Sequence, residues 1–373
     1  MATSSGVVEA ERPGIALMVG LAAVRLAASL FVPLIAFVVL WQGFLFLRDT
    51  DAPKPVVAGV AIVWGVGGVA LLYVVANWVV GRLPSRWGGR VLPFVFVGPA
   101  IAILFAYLLI PTILTLVYSF QDGASKNWVG VDNYVFAVTN PSMLEAIRNN
   151  VLWLAVGTGG SVSLGLLLAI LADRVAFERL AKLLIFLPMA ISFVGAGVIW
   201  RFMYAFRPAG EEQIGLVNAL LGAFGIAPQG LVQLQFWNNF LLIAILIWAQ
   251  TGFAMVILSA ALKGVPAELL EAARMDGATE VQVFQKVVIP TIRGSIITVS
   301  TTIAILTLKI YDIVTTMTNG NFGTEVIATL QFKQSFTFFD YGKGAALAII
   351  LLLAVTPVIW YNLRRLRGQE GFR

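Results

Sequence analysis

Residues 268–290 read ELLEAARMDGATEVQVFQKVVIP, a stretch carrying Glu268, Glu271, Arg274, Asp276, Glu280 and Lys286 in a chain that is 59% apolar and only 12% charged. Pro266, just ahead, suits the first turn of a helix, where its missing N–H costs nothing. Glu268 and Glu271 favour the positive pole of that helix's dipole, so the pattern predicts a short helix over about 266–275. Gly277 can take the positive φ that closes it, Thr279 can cap a second helix, and Pro290 marks the turn into the next segment. In that second helix Val281, Phe284 and Val288 recur at helical spacing, while Glu280, Gln282, Gln285 and Lys286 mostly point elsewhere. A lipid-facing role needs no such element, and a plain connector needs fewer residues. The stretch reads as a handle offered to a soluble partner.

What lies on either side is oily. Mean hydropathy is +0.90, and the 373 residues include 25 phenylalanines. Crossing about 30 Å of hydrocarbon takes about 20 apolar residues at 1.5 Å each. Eight stretches qualify: 18–47, 56–81, 91–120, 149–172, 180–204, 238–262, 290–314 and 344–363. The expected fold class is therefore an all-α integral membrane protein of about eight transmembrane helices. The first stretch exceeds a signal's apolar core and lacks a clear small-residue cleavage site, so it reads as a retained helix.

The absence of cysteine and histidine removes thiol nucleophiles, disulfides, histidine bases and the usual zinc or haem ligands. The net charge of +6 has no basic stripe interleaved with aromatics, which argues against nucleic acid. Instead the cations mark sidedness. Arg82, Arg86 and Arg90 fill one loop, Arg174, Arg179 and Lys182 another, and Arg364, Arg365 and Arg367 the tail, all on one side by alternation. Glu211 and Glu212 outweigh Arg207 in an opposite loop. This pattern puts both termini and residues 266–288 in the cytoplasm.

A Gly/Pro/Arg break, GRLPSRWGGRVLP at 81–93, separates the first two spans from the rest. Residues 1–90 read as an accessory helix pair and 91–373 as the working core, with no repeat between halves. Two outer segments stand out. Residues 121–148 contain the turn-rich QDGASKNWVGVDNY. Residues 205–237 contain IGLVNALLGAFGI, in which Ile214, Leu216, Val217, Leu220 and Leu221 cluster on one side of a short helix. Such a helix can lie along the outer surface, and the segment is either a simple connector or a docking surface for an outside partner.

EAARMDGATEVQVFQKVVIP resembles the EAA signature of binding-protein-dependent ABC importer permeases. Glu271, Ala272, Ala273, Asp276, Gly277, Ala278, Phe284 and Pro290 fall where the sugar-importer branch has them. Residues 309–351 resemble the end of the sugar-permease domain, with Tyr311 and Asp312 at an aromatic–Asp pair, Thr318, Asn319 and Gly320 at a turn, and Gly344, Ala345 and Ala346 entering the last span. Gly320, Asn321 and Phe322 replace the Gly-Gly-Pro turn of many relatives, a variant similar to the α-glucoside branch. The resemblance covers roughly 90–370, and its layout is similar to the larger permease of the maltose transporter.

The resemblance implies a six-helix permease core, in a bacterial or archaeal cytoplasmic membrane, that carries an oligosaccharide or α-glucoside such as maltose or trehalose. It implies four kinds of partner: a second permease subunit, two cytoplasmic ATPase subunits, an external solute-binding protein and the sugar. No GxxxxGK[ST] occurs, so no P-loop hydrolysis of ATP takes place here. The resemblance implies a non-catalytic subunit with no cofactor of its own, ATP and Mg being expected on the ATPase partners. Glu271, Ala272, Ala273, Asp276, Gly277, Phe284 and Pro290 are implied as the ATPase-coupling residues. Their carboxylates either meet the ATPase or only cap the loop's own helices.

Polar residues in a membrane face a cavity or each other, and the seventh span carries Thr298, Ser300, Thr301, Thr302 and Thr307. Alternatively such hydroxyls bond back to their own helix. Aligned without gaps from the EAA motif, Leu306, Thr307 and Ile310 fall where the maltose permease lines its sugar pocket. In the sixth span Gln250, Thr251 and Phe253 form a matching polar and aromatic patch. Lys309 and Asp312 stand three apart, near enough on a helix to pair; Lys309 touches ligand, pairs with Asp312 or snorkels outward. A rival reading, an ion-coupled secondary transporter with Lys309 and Asp312 as a relay, leaves the EAA stretch unexplained, as does a non-transporting assembly factor.

Overall fold

The computed structural model describes residues 15–82, 85–208 and 210–370. Leu83 and Pro84, in the Gly/Pro/Arg break, and the side chains of Arg86, Arg365 and Arg367 lie outside the described set. Nearly every described residue belongs to a helix or a helix connection, and the isolated bridge between Gln121 and Trp128 is the one strand-like feature among them. Two compact units divide between Pro111 and Thr112, later in the chain than the Gly/Pro/Arg break.

The first unit contains α1 (Ile15–Asp49), α2 (Lys54–Val80) and α3 (Ser85–Leu104). Between α1 and α2 the packing depends on absent side chains, as membrane helices use small residues to bring backbones together. A Cβ on Gly43 would lie 2.1 Å from the Trp64 ring. The Trp64 indole N–H instead donates to the Leu40 carbonyl at 3.1 Å. Tyr73 joins α2 to α3, stacking on Phe96 with ring centroids 5.7 Å apart and donating to its carbonyl at 3.0 Å.

The second unit begins in α4 (Ile110–Tyr118) and is built around α11 (Trp237–Lys263). In the most apolar window of α11, 61% of residues are buried, against at most 33% for any other candidate span, so it is the central helix. Against it lies α7 (Gly159–Ala172), joined through a π-helical turn to α6 (Pro141–Leu152) in one 32-residue span. That span starts earlier than its hydropathy predicts. Asn140 caps it by accepting from the Ser142 amide at 3.0 Å, and Asn149 and Asn150 in its first turns are buried rather than exposed to solvent. Two further helices, α14 (Ile289–Leu308) and α17 (Tyr341–Glu370), complete the core.

The predicted fifth span, 180–204, is not a straight helix. It consists of α8 (Glu178–Phe186), extended to Ala190 by a 3-10 turn, and α9 (Phe193–Met203), bent by 101° between them. Pro188 supplies no N–H to continue α8, and Ser192 opens α9 by accepting from the Gly195 amide at 3.1 Å. The described residues thus contain seven straight candidate spans, or eight with the bent pair as one. The predicted seventh span, 290–314, is shifted: it runs Glu280–Leu308 and ends before Lys309.

Candidate functional site: the helix pair at 266–288

The quoted stretch folds into α12 (Ala267–Met275) and α13 (Glu280–Val283). Pro266 is the N-cap of α12 rather than its first helical residue. The turn between the helices is closed twice. Gly277, at φ +79°, donates to the Arg274 carbonyl at 3.0 Å while Ala278 donates to that of Ala273 at 3.1 Å, the paired bonds of a Schellman motif. Thr279 then opens α13 with a reciprocal capping box: its amide donates to Gln282 Oε1 at 2.9 Å, and its Oγ1 accepts from the Gln282 amide at 3.3 Å. Gln282 was missed in the sequence reading, although its spacing from Thr279 is the capping-box signature.

Arg274 spans the turn, donating from Nε to Glu280 at 2.8 Å, and this carboxylate raises the guanidinium pKa above its ordinary value. Both groups are at least half exposed, so the pair fixes orientation more than it adds stability. Glu271, Ala272, Asp276 and Gly277 are exposed and Ala273 is half-buried. Among the described residues neither the Glu271 nor the Asp276 carboxylate bonds an amide of the loop, so capping does not occupy them.

Phe284 and Pro290 are placed differently. Phe284 is half-buried and turns inward, lining a 460 Å³ cleft with Ile170, Leu262, Val265, Leu270 and Val283. Val283, unremarked in the sequence pattern, is the fully buried anchor of the ridge, whereas Val281 is exposed. Pro290 does not break the chain. A π-helical segment, Phe284–Val288, shifts the hydrogen-bond register just before it, so that Ile289 donates to the Phe284 carbonyl. Consequently α13 and α14 form one continuous helix, Glu280–Leu308, and the second half of the pair is the end of a membrane span.

Behind the pair, an ion cluster holds the ends of three helices. Lys182 bonds Glu178 at 2.7 Å and also Asp173, which accepts from Ser259 at 2.8 Å; Lys263 bonds Glu178. Sequence reasoning counted Lys182 only as a loop cation, although its i,i+4 spacing from Glu178 pointed to the pair.

The sequence-predicted substrate residues do not converge on one place. Gln250, Thr307 and Ile310 are buried, and Phe253 is half-buried against the cluster around Met255 and Leu258. Leu306 is 41% exposed on another side of α14. Thr307 donates to the Ile303 carbonyl at 2.8 Å, and Thr298, Thr301 and Thr302 likewise bond back to their helix. Of the alternatives open to Lys309, the pairing with Asp312 is not formed. Helix α14 stops at Leu308, Lys309 turns at φ −101°, and Asp312 opens a new helix, α15 (Asp312–Met317), so the two do not share a helical face. Lys309 instead lines a 590 Å³ cavity with Tyr311, Gln331 and Phe332, three residues outside the predicted set. The Tyr311 and Phe332 rings lie 5.3 Å apart.

The TNGNFGTEV turn is held by side chains distant in the chain. Asn319, Gly320, Phe322 and Gly323 all have positive φ. Four buried asparagines fasten the segment: Asn149 donates to the carbonyls of Gly323 (2.9 Å) and Glu325 (2.8 Å), Asn238 to that of Phe322 (2.8 Å), Asn239 to that of Gly323 (3.0 Å), and Asn150 accepts from the Ile327 amide (2.8 Å). An Asn149→Ala variant is expected to lose about 2 kcal/mol, because the Glu325 carbonyl loses its donor while Gly323 keeps Asn239. The thermal midpoint of the detergent-solubilised protein checks this, and an unchanged midpoint would contradict it.

The geometry defines a many-spanning helical membrane chain that exposes a doubly capped helix pair, continuous with one of its spans. Residues 161–365 match the family described as the binding-protein-dependent transport system inner membrane component. The chain belongs to that family. It is 56% identical over 278 residues to an osmoprotective compounds uptake permease of Synechocystis, covering 74% of this chain and all of that one. It is 46% identical to an α-glucoside transport system permease of Rhizobium meliloti, covering 77% of this chain and 85% of the relative. A chain of a bacterial alginate ABC transporter, crystallised with an alginate-pentasaccharide-bound periplasmic protein, shares the fold at a TM-score of 0.63 and 20% identity, covering 72% of this chain and 92% of that one.

Proposed function

We propose that this chain is one of two permease subunits of an ATP-driven carbohydrate importer, taking an oligosaccharide or α-glucoside from an external binding protein. The observation that carries the coupling role is the helix pair: exposed on α12, anchored by Val283 and Phe284, and continuous with the span Glu280–Leu308. A soluble ATPase gripping α12 would move that span as a rigid lever, with no flexible joint between. Exposed Glu271 and Asp276 offer the carboxylates, and Ala272 and Ala273 the close approach, that such a grip uses. ATP and Mg are assigned to two such ATPase subunits. Both termini and the helix pair are assigned to the cytoplasmic side of a bacterial or archaeal cytoplasmic membrane, and residues 1–90 to an accessory pair.

The α-glucoside relative supports a carbohydrate, and the cavity, though lined mainly by aliphatic residues such as Ile305, Leu351 and Val355, adds the aromatic faces of Tyr311 and Phe332 and the hydrogen-bonding groups of Lys309 and Gln331 that sugars use. Of the predicted substrate residues, Lys309 is the one this cavity retains. The unformed pair with Asp312 weakens the ion-relay alternative. Vesicles containing the purified complex decide the matter. Uptake of a labelled α-glucoside is expected only with ATP inside and binding protein outside, and is expected to survive an ionophore. Uptake abolished by the ionophore would sink the proposal.

A further inference from the structure

On the opposite end of α11 from the helix pair, residues 204–236 connect α9 to α11 and contain α10 (Leu216–Ala223). Its polarity is inverted. The one polar side chain of α10, Asn218, is fully buried, donating to the carbonyls of Ala205 (2.9 Å) and Gln229 (3.1 Å) and accepting from the Gln229 amide (2.9 Å). The outward side carries Leu216 and Leu220, each about half exposed, and continues into Phe224, which is 81% exposed, and Ile226. No polar side chain interrupts this outward side between Leu216 and Ala227.

Water as the outer medium does not account for such a helix, since the apolar side would then be the buried one. A partner that docks and leaves does not account for it either. Transient interfaces are about as polar as ordinary protein surface, because they must be soluble between encounters. Continuity supplies the occupant. Helix α10 packs against α9, whose exposed residues Val198, Phe202 and the following Phe206 are apolar and whose last turn adds exposed Arg201, a cation of the kind that snorkels at a span end, and the connection ends at exposed Phe236 and Trp237, where α11 begins. Aromatic side chains at span ends occupy the bilayer boundary. The apolar outer side of α10 is thus an extension of the surface that the spans present to lipid.

We infer that α10 is a lipid-surface anchor, lying in the membrane plane with Leu216, Leu220 and Phe224 inserted at the boundary between headgroups and acyl chains. Pinned through Asn218, it holds the mouth of the bundle at a fixed depth. The inference requires only that the chain spans a membrane.

The chain has no cysteine, so single labels are unambiguous. Nitroxides placed by Leu220→Cys, Phe224→Cys and, as a control in the same connection, Glu211→Cys are read in phosphatidylcholine vesicles, with the full chain and its co-purifying subunits present. Molecular oxygen, which concentrates in lipid, and a water-soluble nickel chelate serve as collision reagents. Labels at 220 and 224 are expected to lose most of their nickel collisions relative to 211 while gaining oxygen collisions. Nickel accessibility at 220 and 224 equal to that at 211 would overturn the inference. So would shielding that appears only when a binding protein is added, or loss of collisions with both reagents, since these place a protein on the surface instead of lipid.

Discussion

Uptake by a Gly277→Val variant is expected to fall to background while the chain remains in the membrane at nearly its normal amount. The backbone at Gly277 lies at φ +79°, and a Cβ built there meets nothing within 4 Å, so the penalty is conformational and not steric crowding. A β-branched residue held in that region costs about 1–3 kcal/mol. An exposed turn has no surrounding packing to enforce the strained state, so the chain relaxes by opening the turn. The paired bonds to the Arg274 and Ala273 carbonyls then go, and with them the fixed angle between α12 and the long helix that begins at Glu280. The bundle itself is untouched, because α12 buries none of its residues fully. Gly277→Asn should keep most of the uptake, since asparagine tolerates the left-handed region far better. Transport and co-isolation of the ATPase, measured beside membrane abundance, separate the cases. Normal uptake by the valine variant would remove the helix pair from the mechanism.

Much of this site was legible because its signals are local. A proline before the helix, a glycine at its end and a threonine at the head of the next helix are each read over a few positions, and each stands at the helix boundary it marks in the structure. Hydropathy likewise placed the spans, because every polar backbone group in lipid must bond within its own helix. What it could not show were breaks inside oily sequence. The 101° bend between Ala190 and Phe193 lies in an apolar run, and the end of α14 at Leu308 lies between residues that continue the helical pattern. The predicted substrate residues scatter for a related reason. Which side of α14 a residue faces depends on neighbours distant in the chain, so Thr307 and Ile310 turned inward while Lys309 reached a cavity completed by Gln331 and Phe332. The buried asparagines were equally hidden, since Asn149 and the Glu325 carbonyl it serves are brought together only by the fold.

Gly252→Ala and Gly159→Ala should shift stability in opposite directions, although each adds one methyl group to a helical glycine in the same bundle. In a helix interior alanine is favoured over glycine by about 1 kcal/mol. At Gly159 a Cβ meets nothing within 4 Å, so that gain is realised and the thermal midpoint should rise. At Gly252 a Cβ would lie 2.4 Å from the Ile185 carbonyl oxygen and 2.7 Å from the Phe186 Cα. Both are backbone atoms, which cannot rotate away as a side chain can. They belong to α8, just before the 101° bend, so relief requires moving the bent pair off the central helix. Overpacking of this kind costs about 3 kcal/mol, more than the helix propensity returns. The Gly252 variant should therefore melt lower in detergent and accumulate less in membranes. The last turn of α8 thus meets α11 through bare backbone, and only a residue without a side chain admits the approach. A Gly252→Ala protein that melts at or above the parent would show that the bent pair is not seated on α11 at this point.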